Sequence, residues 1–210
     1  MGGEDLQKIN EKVRFRLAKT DAEKGDADAQ NKLGEMYRKG KGVLKDNKEA
    51  AKWYRQAADQ GLANAQYNLA VLYFNGEGVL ENHKEAAKWC RKAAEQGYAI
   101  AQYILADMYY MGIGVLEDYK EAAKWLRKAA EQGYIDAQMK LGLWYGLGQG
   151  VPEDYVTAYA WSNIAQLNGS GAARKIKSEF LRNQMTPEQI VKAQELSKEM
   201  VKKNPKLLKD

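Results

Sequence analysis

A 36-residue repeat runs through most of this chain and limits what it can fold into. It is marked by glycines at equal intervals along the sequence, at Gly25, Gly61, Gly97, Gly133 and Gly169. Four units then align without a gap, over residues 25–60, 61–96, 97–132 and 133–168. A unit this short cannot bury an apolar face alone, so neighbouring units must stack against one another.

Each unit is predicted to form two antiparallel helices. In the first unit Ala29, Leu33 and Tyr37 are spaced by four residues, which places them on one face of a first helix. Gly40 stands where a helix ends in the left-handed conformation, and a second glycine two residues later lets the chain reverse. The second helix begins after Asp46, an N-cap residue followed by glutamate at capping-box spacing. No segment shows strand-like alternation, so the sequence predicts an all-α fold.

The second helix of each unit carries small and aromatic residues that recur every 36 positions. Its tryptophans are Trp53, Trp89, Trp125 and Trp161. Aromatic residues that recur with the fold are typical of a core and not of a ligand site, because every unit must bury the same face. We therefore assign the tryptophans, and the tyrosines that recur in the first helices, to core packing.

The recurring motif is A-Q-x-x-L-[GA]-x-x-Y-x-x-G-x-G-V, followed by D/N-x-x-x-A-x-x-W-x-x-x-A-A-x-x-G. It resembles the Sel-one-like repeat family, relatives of the tetratricopeptide repeats, whose own units are 34 residues long. The resemblance covers about two thirds of the chain, and the fourth unit departs most, with Gln166 in place of an alanine. It implies a right-handed α/α solenoid whose first helices line a concave surface. It also implies a non-enzymatic role in protein–protein interaction, as an adaptor or scaffold, often in bacteria.

The segments outside the repeats are predicted to be helical caps. Residues 1–24 would form an N-terminal capping helix, with an apolar face made of Leu6, Ile9, Val13 and Leu17. Residues 169–210 would form a divergent C-terminal cap with a basic tail. Its last helix should start at Thr186, which is followed by proline and by a capping-box glutamine, and should dock on the fourth unit.

The chain has 33 lysine and arginine residues against 28 aspartate and glutamate residues, a net charge of +5. The whole excess lies after residue 168, where there are 10 cations and 5 carboxylates. A neutral body with a basic end argues against a nucleic-acid-binding protein but leaves one alternative open. In that alternative, nucleic acid or an anionic surface binds through Lys192, Lys198, Lys202, Lys203, Lys206 and Lys209.

The opening residues Met1–Asp5 do not form a signal peptide, and no apolar run is long enough to span a membrane. A cytoplasmic location is therefore the default expectation. A periplasmic or secreted location stays open if a leader was removed, and a monomer is favoured.

The inventory of reactive residues argues against an enzyme. One cysteine, Cys90, and one histidine, His83, cannot form a disulfide or, alone, a zinc site. No Walker loop or H-E-x-x-H motif is present, and the G-x-G loops follow helices instead of strands. We expect no catalytic residue, cofactor or metal, with His83 in a polar loop and Cys90 as an inert, partly buried thiol.

The functional signal lies in first-helix positions that do not recur. There, units two to four carry aromatic and apolar groups with a few carboxylates, which is unusual for a solvent-exposed face and typical of a partner groove. The predicted partner-binding residues are Tyr67, Val71, Phe74, Ile100, Tyr103, Asp107, Tyr110, Asp136, Met139 and Leu143. We expect them to bind another protein or a peptide, with Asp107 and Asp136 available to a basic residue of that partner.

Overall fold

The structure, a computed structural model, describes the backbone of residues 3–208 and the side chains of residues 7–179 and 181–208. Over this range it contains helices and turns but no β-strand, which confirms the predicted all-α helical-repeat fold. The chain divides into two compact units, each of which contains two of the 36-residue repeats. The first unit is residues 1–96 and the second unit is residues 97–210. Lys209 and the opening residues Met1-Gly2 lie outside the described residues, as do the side chains of Leu6 and Phe180.

The first unit contains one leading helix and two helix pairs. Their bounds are α1 Gly3–Glu23, α2 Ala27–Lys39, α3 Asn47–Asp59, α4 Ala63–Asn75 and α5 His83–Glu95. Helices α2 and α3 pack together, as do α4 and α5, and α3 also packs on α4. His83, which we expected in a polar loop, is the first residue of α5.

The second unit contains two more helix pairs and a C-terminal segment. The bounds of its α-helices are α6 Ala99–Met111, α7 Tyr119–Glu131, α8 Ile135–Leu147, α9 Tyr155–Leu167, α10 Gly171–Lys175 and α11 Pro187–Lys203. A π-helical turn, Ile176–Phe180, and a 3-10 turn, Leu181–Gln184, connect α10 to α11, and a second 3-10 turn, Pro205–Leu207, follows α11. Between α9 and α11 the chain therefore forms three short helical segments of different type and not one regular helix.

The second helix of each repeat begins as predicted, but the capping box is only half formed. The side chain of Asp118 accepts a hydrogen bond from the backbone N–H of Glu121 at 2.9 Å. The backbone N–H of Asp118 does not donate to the side chain of Glu121, because it donates to the carbonyl of Tyr109 at 3.0 Å. Glu121 instead forms an ion pair with Lys124 at 2.8 Å. The same three contacts recur in α3, where Asp46 is the N-cap.

In two of the G-x-G loops the second glycine is required by a close approach as well as by a turn. Gly78 has a φ of 71°, and a Cβ built on it would lie 2.1 Å from the carbonyl oxygen of Asn47. Gly150 has the same relation to Tyr119, also at 2.1 Å. The loop of one repeat thus rests on the start of the second helix of the repeat before it, and any side chain there would separate them.

The leading helix α1 is present, but its predicted apolar face is not the buried one. Ile9, Val13 and Leu17 are 46%, 49% and 62% exposed, whereas Ala18 and Ala22 are buried in the contact between α1 and α2. Thirty-six residues on, Arg14 and Asp21 align with Ala50 and Ala57, which are fully buried. These charged residues occupy the face on which a first helix packs in the later repeats, so α1 differs there from the second helices of the repeats.

The C-terminal helix docks on the fourth repeat, as predicted. Thr186 and Gln189 form the complete capping box, with Pro187 at the first helical position. Helix α11 packs along α9, and a core made of Ala158, Tyr159, Leu181, Met185 and Ala193 lies between the fourth repeat and the C-terminal segment. The tail beyond α11 is held by hydrogen bonds, because the carbonyl of Leu207 accepts from Gln138 at 2.8 Å and from Asn168 at 2.7 Å.

Candidate partner-binding surface

Three aromatic rings on α6 and α8 surround one lysine ammonium group. Nζ of Lys140 lies 5.4 Å from the ring centre of Tyr103, 5.6 Å from that of Tyr110 and 5.7 Å from that of Trp144. All three distances are within cation–π range. The rings of Tyr110 and Trp144 also contact each other, with their centres 5.3 Å apart. We call Tyr103, Tyr110, Trp144, Lys140 and Asp107 the lysine cage.

Asp107 completes the lysine cage by forming an ion pair with Lys140. The side chains of Asp107 and Lys140 are only 21% and 22% exposed, so the pair is screened from water less than a surface ion pair. The expectation that Asp107 would be available to a basic residue of a partner is therefore wrong. Its charge is already neutralised within the chain, because Lys140 lies one repeat further along and faces it from α8.

A second aromatic pair lies at the start of α8. The rings of Tyr103 and Tyr134 are 5.2 Å apart, and Asp136 beside them is exposed. Burial raises the pKa of Tyr103 to about 12, and the nearby carboxylates of Asp107 and Asp136 act in the same direction. Burial and the same two carboxylates also raise the pKa of Tyr134. Both phenols therefore stay protonated near neutral pH and can form hydrogen bonds beside the carboxylates of Asp107 and Asp136.

The other predicted residues of the second unit border this surface. Ile100 on α6 and Met139 and Leu143 on α8 are each half-buried. In the first unit Tyr67 and Val71 on α4 are half-buried, and Phe74 is 38% exposed, with its ring 4.9 Å from that of His83. The structure thus brings the predicted residues of α6 and α8 together, and it places those of α4 within the first unit.

Sequence reasoning missed four residues of this surface. They are Lys140, Trp144, Tyr134 and Gln149, whose side-chain amide donates to the hydroxyl of Tyr110 at 3.3 Å. Lys140 had a usable signal, since it is a charged residue between Met139 and Leu141 on a helix that is otherwise mostly apolar. Trp144 had none, because it occupies a buried position held by Met36, Leu72 and Met108 in the other repeats.

The reactive groups outside this surface are few. Cys90 is buried, and that burial raises the pKa of its thiol to about 12, which leaves almost no nucleophilic thiolate near neutral pH. Across residues 3–208 no three histidine, cysteine or acidic side chains are grouped as metal ligands would be. Within the same range no helix has both the length and the apolar character needed to cross a membrane.

Known protein families and structures give a consistent identification. The Sel1 repeat model matches four consecutive segments, residues 27–62, 63–98, 99–134 and 135–170. Each match starts two residues after the corresponding glycine-defined unit and has the same period. Sel1 repeat proteins are generally protein-interaction scaffolds and typically non-catalytic. None of the curated proteins compared with the chain matches it.

Solved bacterial structures share both sequence and fold with the chain. A Sel1 repeat protein from Oxalobacter formigenes is 37% identical with a TM-score of 0.76, and the match covers 93% of this chain and 80% of that one. The protective antigen c5321 of uropathogenic Escherichia coli, which displays an SLR fold, is 33% identical with a TM-score of 0.58. That match covers 92% of this chain but only 49% of the antigen.

A third structure shows the fold alone. A putative sel1 repeat protein from Klebsiella pneumoniae is 23% identical, with a TM-score of 0.52, and the match covers 92% of this chain and 98% of that one. The four matched repeats and the Oxalobacter structure carry the assignment. The chain belongs to the Sel1 repeat family.

Proposed function

We propose that the chain is a non-enzymatic scaffold that binds a partner protein on the face formed by α6 and α8, with no cofactor or metal. The observation that carries the proposal is the lysine cage, which groups aromatic side chains at positions that are not shared by all repeats. Rigid aromatic residues supply much contact area at a low cost in conformational entropy, which is why they dominate protein interfaces.

Lys140 makes this face suitable for a largely apolar contact. It neutralises Asp107 and contacts three rings, so the central part of the face carries no unbalanced charge. It also limits the motion of Tyr103 and Tyr110 before a partner arrives. A face organised in advance loses less entropy when it binds, and this raises affinity without new contacts.

The edge of the same face favours one basic residue in the partner. Asp136 is exposed beside Tyr103 and Tyr134, so a lysine or arginine there would meet a carboxylate and two aromatic rings. An extended segment or an amphipathic helix fits such a surface, with apolar side chains against the rings and a cation at the edge. We propose that Tyr67, Val71 and Phe74 on α4 contribute further contacts from the first unit.

The experiment begins with affinity capture of partners and their identification by mass spectrometry. The captured partner is then titrated against wild type and a Tyr67→Ala/Tyr103→Ala variant. Each interface aromatic contributes about 2 kcal/mol, so the double change should weaken binding roughly a hundredfold or more. Circular dichroism and the melting temperature should change little, because neither ring is fully buried. Leu116→Ala is the matched control, since Leu116 is 91% exposed and lies in a loop outside this face.

A second experiment tests the alternative that nucleic acid or an anionic surface binds the basic C-terminal segment, which the comparisons do not support. Lys192, Lys198 and Lys202 on α11 are replaced together by glutamine, and all three are exposed. Binding on the α6–α8 face should survive this change and should depend weakly on salt, whereas phosphate-driven binding falls steeply with ionic strength. A partner that tolerates the tyrosine changes and is lost with the lysines would overturn the proposal.

A further inference from the structure

The turn that follows α11 is seated in the second unit in the way a peptide ligand would be. Within this tail turn, Pro205–Leu207, the side chain of Leu207 is buried while the two residues before it are exposed. The carbonyl of Leu207 accepts hydrogen bonds from the side-chain amides of Gln138 at 2.8 Å and Asn168 at 2.7 Å. Gln138 is itself fully buried, so the fourth repeat directs a buried polar group at the tail turn.

The backbone of the tail turn also lies directly on the connection between α7 and α8. A Cβ built on Gly133 would lie 2.4 Å from the carbonyl oxygen of Lys206. The side-chain amide of Asn204, just before the turn, donates to the carbonyl of Glu131 at 2.7 Å. The place that holds the tail turn is therefore built from residues of α7, α8 and α9 and their connections. We call Glu131, Gly133, Gln138 and Asn168 the tail site.

The repeat itself does not require a chain segment at this place. The equivalent glycines of the other repeats and of the C-terminal segment would have no atom within 4 Å of such a Cβ; they are Gly25, Gly61, Gly97 and Gly169. The other repeats also carry glutamine where Asn168 stands. Gln96, for example, donates to the carbonyl of Gly61 and to the side chain of Gln66, both at 2.8 Å. The shorter Asn168 donates to the tail turn, so the tail site is particular to the fourth repeat.

Few contacts hold the tail turn in the tail site. Among residues 204–208 only Leu207 is buried. The backbone N–H groups of Leu207 and Leu208 donate to the carbonyls of Asn204 and Pro205, both at 3.1 Å, so these bonds stay within the turn when it moves. A segment with one buried side chain opens at a lower free energy than the packed helices. The site can therefore be vacated while the repeats stay folded.

We infer that the tail site binds a turn of a partner protein that carries proline and leucine in the same arrangement, and that the chain's own tail turn competes with it. The carbonyl of the partner's leucine would accept from Gln138 and Asn168, and its side chain would take the place of Leu207. The connection between α7 and α8 carries two exposed carboxylates, Glu131 and Asp136, and no cation between them. A lysine beside the partner's leucine, like Lys206 in the tail turn, suits this charge.

The tail site is continuous with the proposed partner surface. Tyr134 directly follows Gly133, and its ring pairs with that of Tyr103 beside Asp136. A partner bound to α6 and α8 can therefore place a neighbouring segment in the tail site, and this second contact forms at a high effective concentration. The origin of the segment rests on the proposed function, whereas the chemistry of the site rests on the tail turn alone.

The test uses a fluorescein-labelled peptide with the sequence of residues 203–210, Lys-Asn-Pro-Lys-Leu-Leu-Lys-Asp, titrated by fluorescence anisotropy. The full chain with Leu207→Ser should bind it saturably, because the variant's own turn no longer fills the site. Wild type should bind at least tenfold more weakly, since only the fraction with a vacated site is competent. A peptide whose first leucine is serine should not bind. If wild type and Leu207→Ser bind the peptide equally, or neither binds it, the inference is overturned.

Two glycines provide a matched pair of variants in the Leu207→Ser background. Gly133 and Gly97 have φ values of 81° and 87°, so alanine introduces similar backbone strain at both. Only at Gly133 does the new Cβ meet the docked chain. Gly133→Ala should weaken peptide binding at least tenfold and Gly97→Ala should leave it unchanged, with melting temperatures measured for both. Equal weakening would place the peptide elsewhere and overturn the inference.

A measurement on wild type needs no destabilising variant. Excess unlabelled peptide should speed the hydrogen exchange of the backbone N–H groups of Leu207 and Leu208, because the tail turn is displaced. Unchanged exchange would show that the turn is a permanent part of the fold. A wild-type dimer that Leu207→Ser abolishes would assign the site to the tail of a second copy, against the inference. Tyr103→Ala should leave peptide binding unchanged, so failure of the α6–α8 surface and failure of the tail site are distinguishable.

Discussion

Trp89 illustrates how recurrence and burial coincide at a single residue. It is 3% exposed on α5, and its indole N–H has no hydrogen-bond partner among the described residues. Lys92 covers the outer face of the ring, with Nζ 4.2 Å from the ring centre. Trp125 and Trp161 are equally buried, whereas Trp53 is only half-buried. The prediction that the tryptophans form a packing ladder is confirmed for three of the four.

Trp89→Ala should therefore destabilise the fold and not act on binding alone. Truncating a buried tryptophan costs about 3–5 kcal/mol, because a cavity replaces most of its contacts. Urea unfolding followed by circular dichroism measures the loss. Leu80→Ala serves as the control, since Leu80 is 90% exposed and should change stability by less than about 0.5 kcal/mol. An unchanged unfolding midpoint in Trp89→Ala would contradict the core assignment.

The residues of the lysine cage show which site residues can be predicted from the sequence and which cannot. Sequence predicts Tyr103, Asp107 and Tyr110 as binding residues because their positions do not hold the same residue in all four repeats. It does not predict Lys140, because the contact joins residues 33 positions apart and depends on the offset between two first helices. A 36-residue period predicts which helices are neighbours, but it does not predict which turns of those helices meet.

Between elements, a ladder of side-chain amides links the first helix of a repeat to neighbouring helices. The amide of Gln66 donates to the carbonyl of Ala58 at 3.2 Å, and Gln96 donates to the side-chain oxygen of Gln66 at 2.8 Å. Gln132 donates in the same way to Gln102 at 2.7 Å, and in the fourth repeat Asn168 donates to Gln138 at 2.8 Å. Gln66, Gln102 and Gln138 recur in the motif and are buried, so their side-chain amides need hydrogen-bond partners in each repeat.

Replacing Gln66 by methionine should isolate the contribution of this ladder. The two side chains have similar length, so the change removes hydrogen bonds without opening a large cavity. It removes the hydrogen bond from Gln66 to the carbonyl of Ala58, which still accepts from the backbone N–H of Gly61, and the one from Gln96 to Gln66, at a combined cost of about 1–3 kcal/mol. Chemical denaturation of Gln56→Met, an exposed position on α3, is the comparison. If both variants unfold at the same denaturant concentration, the ladder does not stabilise the contact between α3 and α4.

At the scale of the molecule, the sequence predicts the features that occur in every repeat. It does not predict the contacts that occur only once. The helix pairs, their N-caps and their glycine loops appear four times, so each copy supports the interpretation of the others. Helix α1 appears once, and its helical spacing of Ile9, Val13 and Leu17 predicts burial on the wrong face. The tail turn at Leu207 has no sequence signal, because it is held through its backbone carbonyl.

That tail turn and α11 together should determine whether the second unit stays folded. Deleting residues 186–210 removes Ala193 from the core and uncovers Tyr159 and the outer face of α9. At about 25 cal/mol per Å², exposing ~400 Å² of apolar surface costs on the order of 10 kcal/mol, which is comparable to the stability of a whole domain. The truncated chain should aggregate or melt far below the full chain in differential scanning calorimetry.

A shorter truncation separates the helix from the turn. Deleting residues 204–210 keeps α11 but removes the buried Leu207 and the acceptor shared by Gln138 and Asn168. The lost burial of Leu207 and the two lost hydrogen bonds should cost about 2–4 kcal/mol, so this chain should fold with a lower melting temperature. We expect the melting temperature to fall from the full chain to the short truncation and again to the long truncation, because each deletion uncovers more of the fourth repeat. A long truncation that melts with the full chain would show that residues 186–210 are a dispensable tail and that α9 tolerates an apolar face in water.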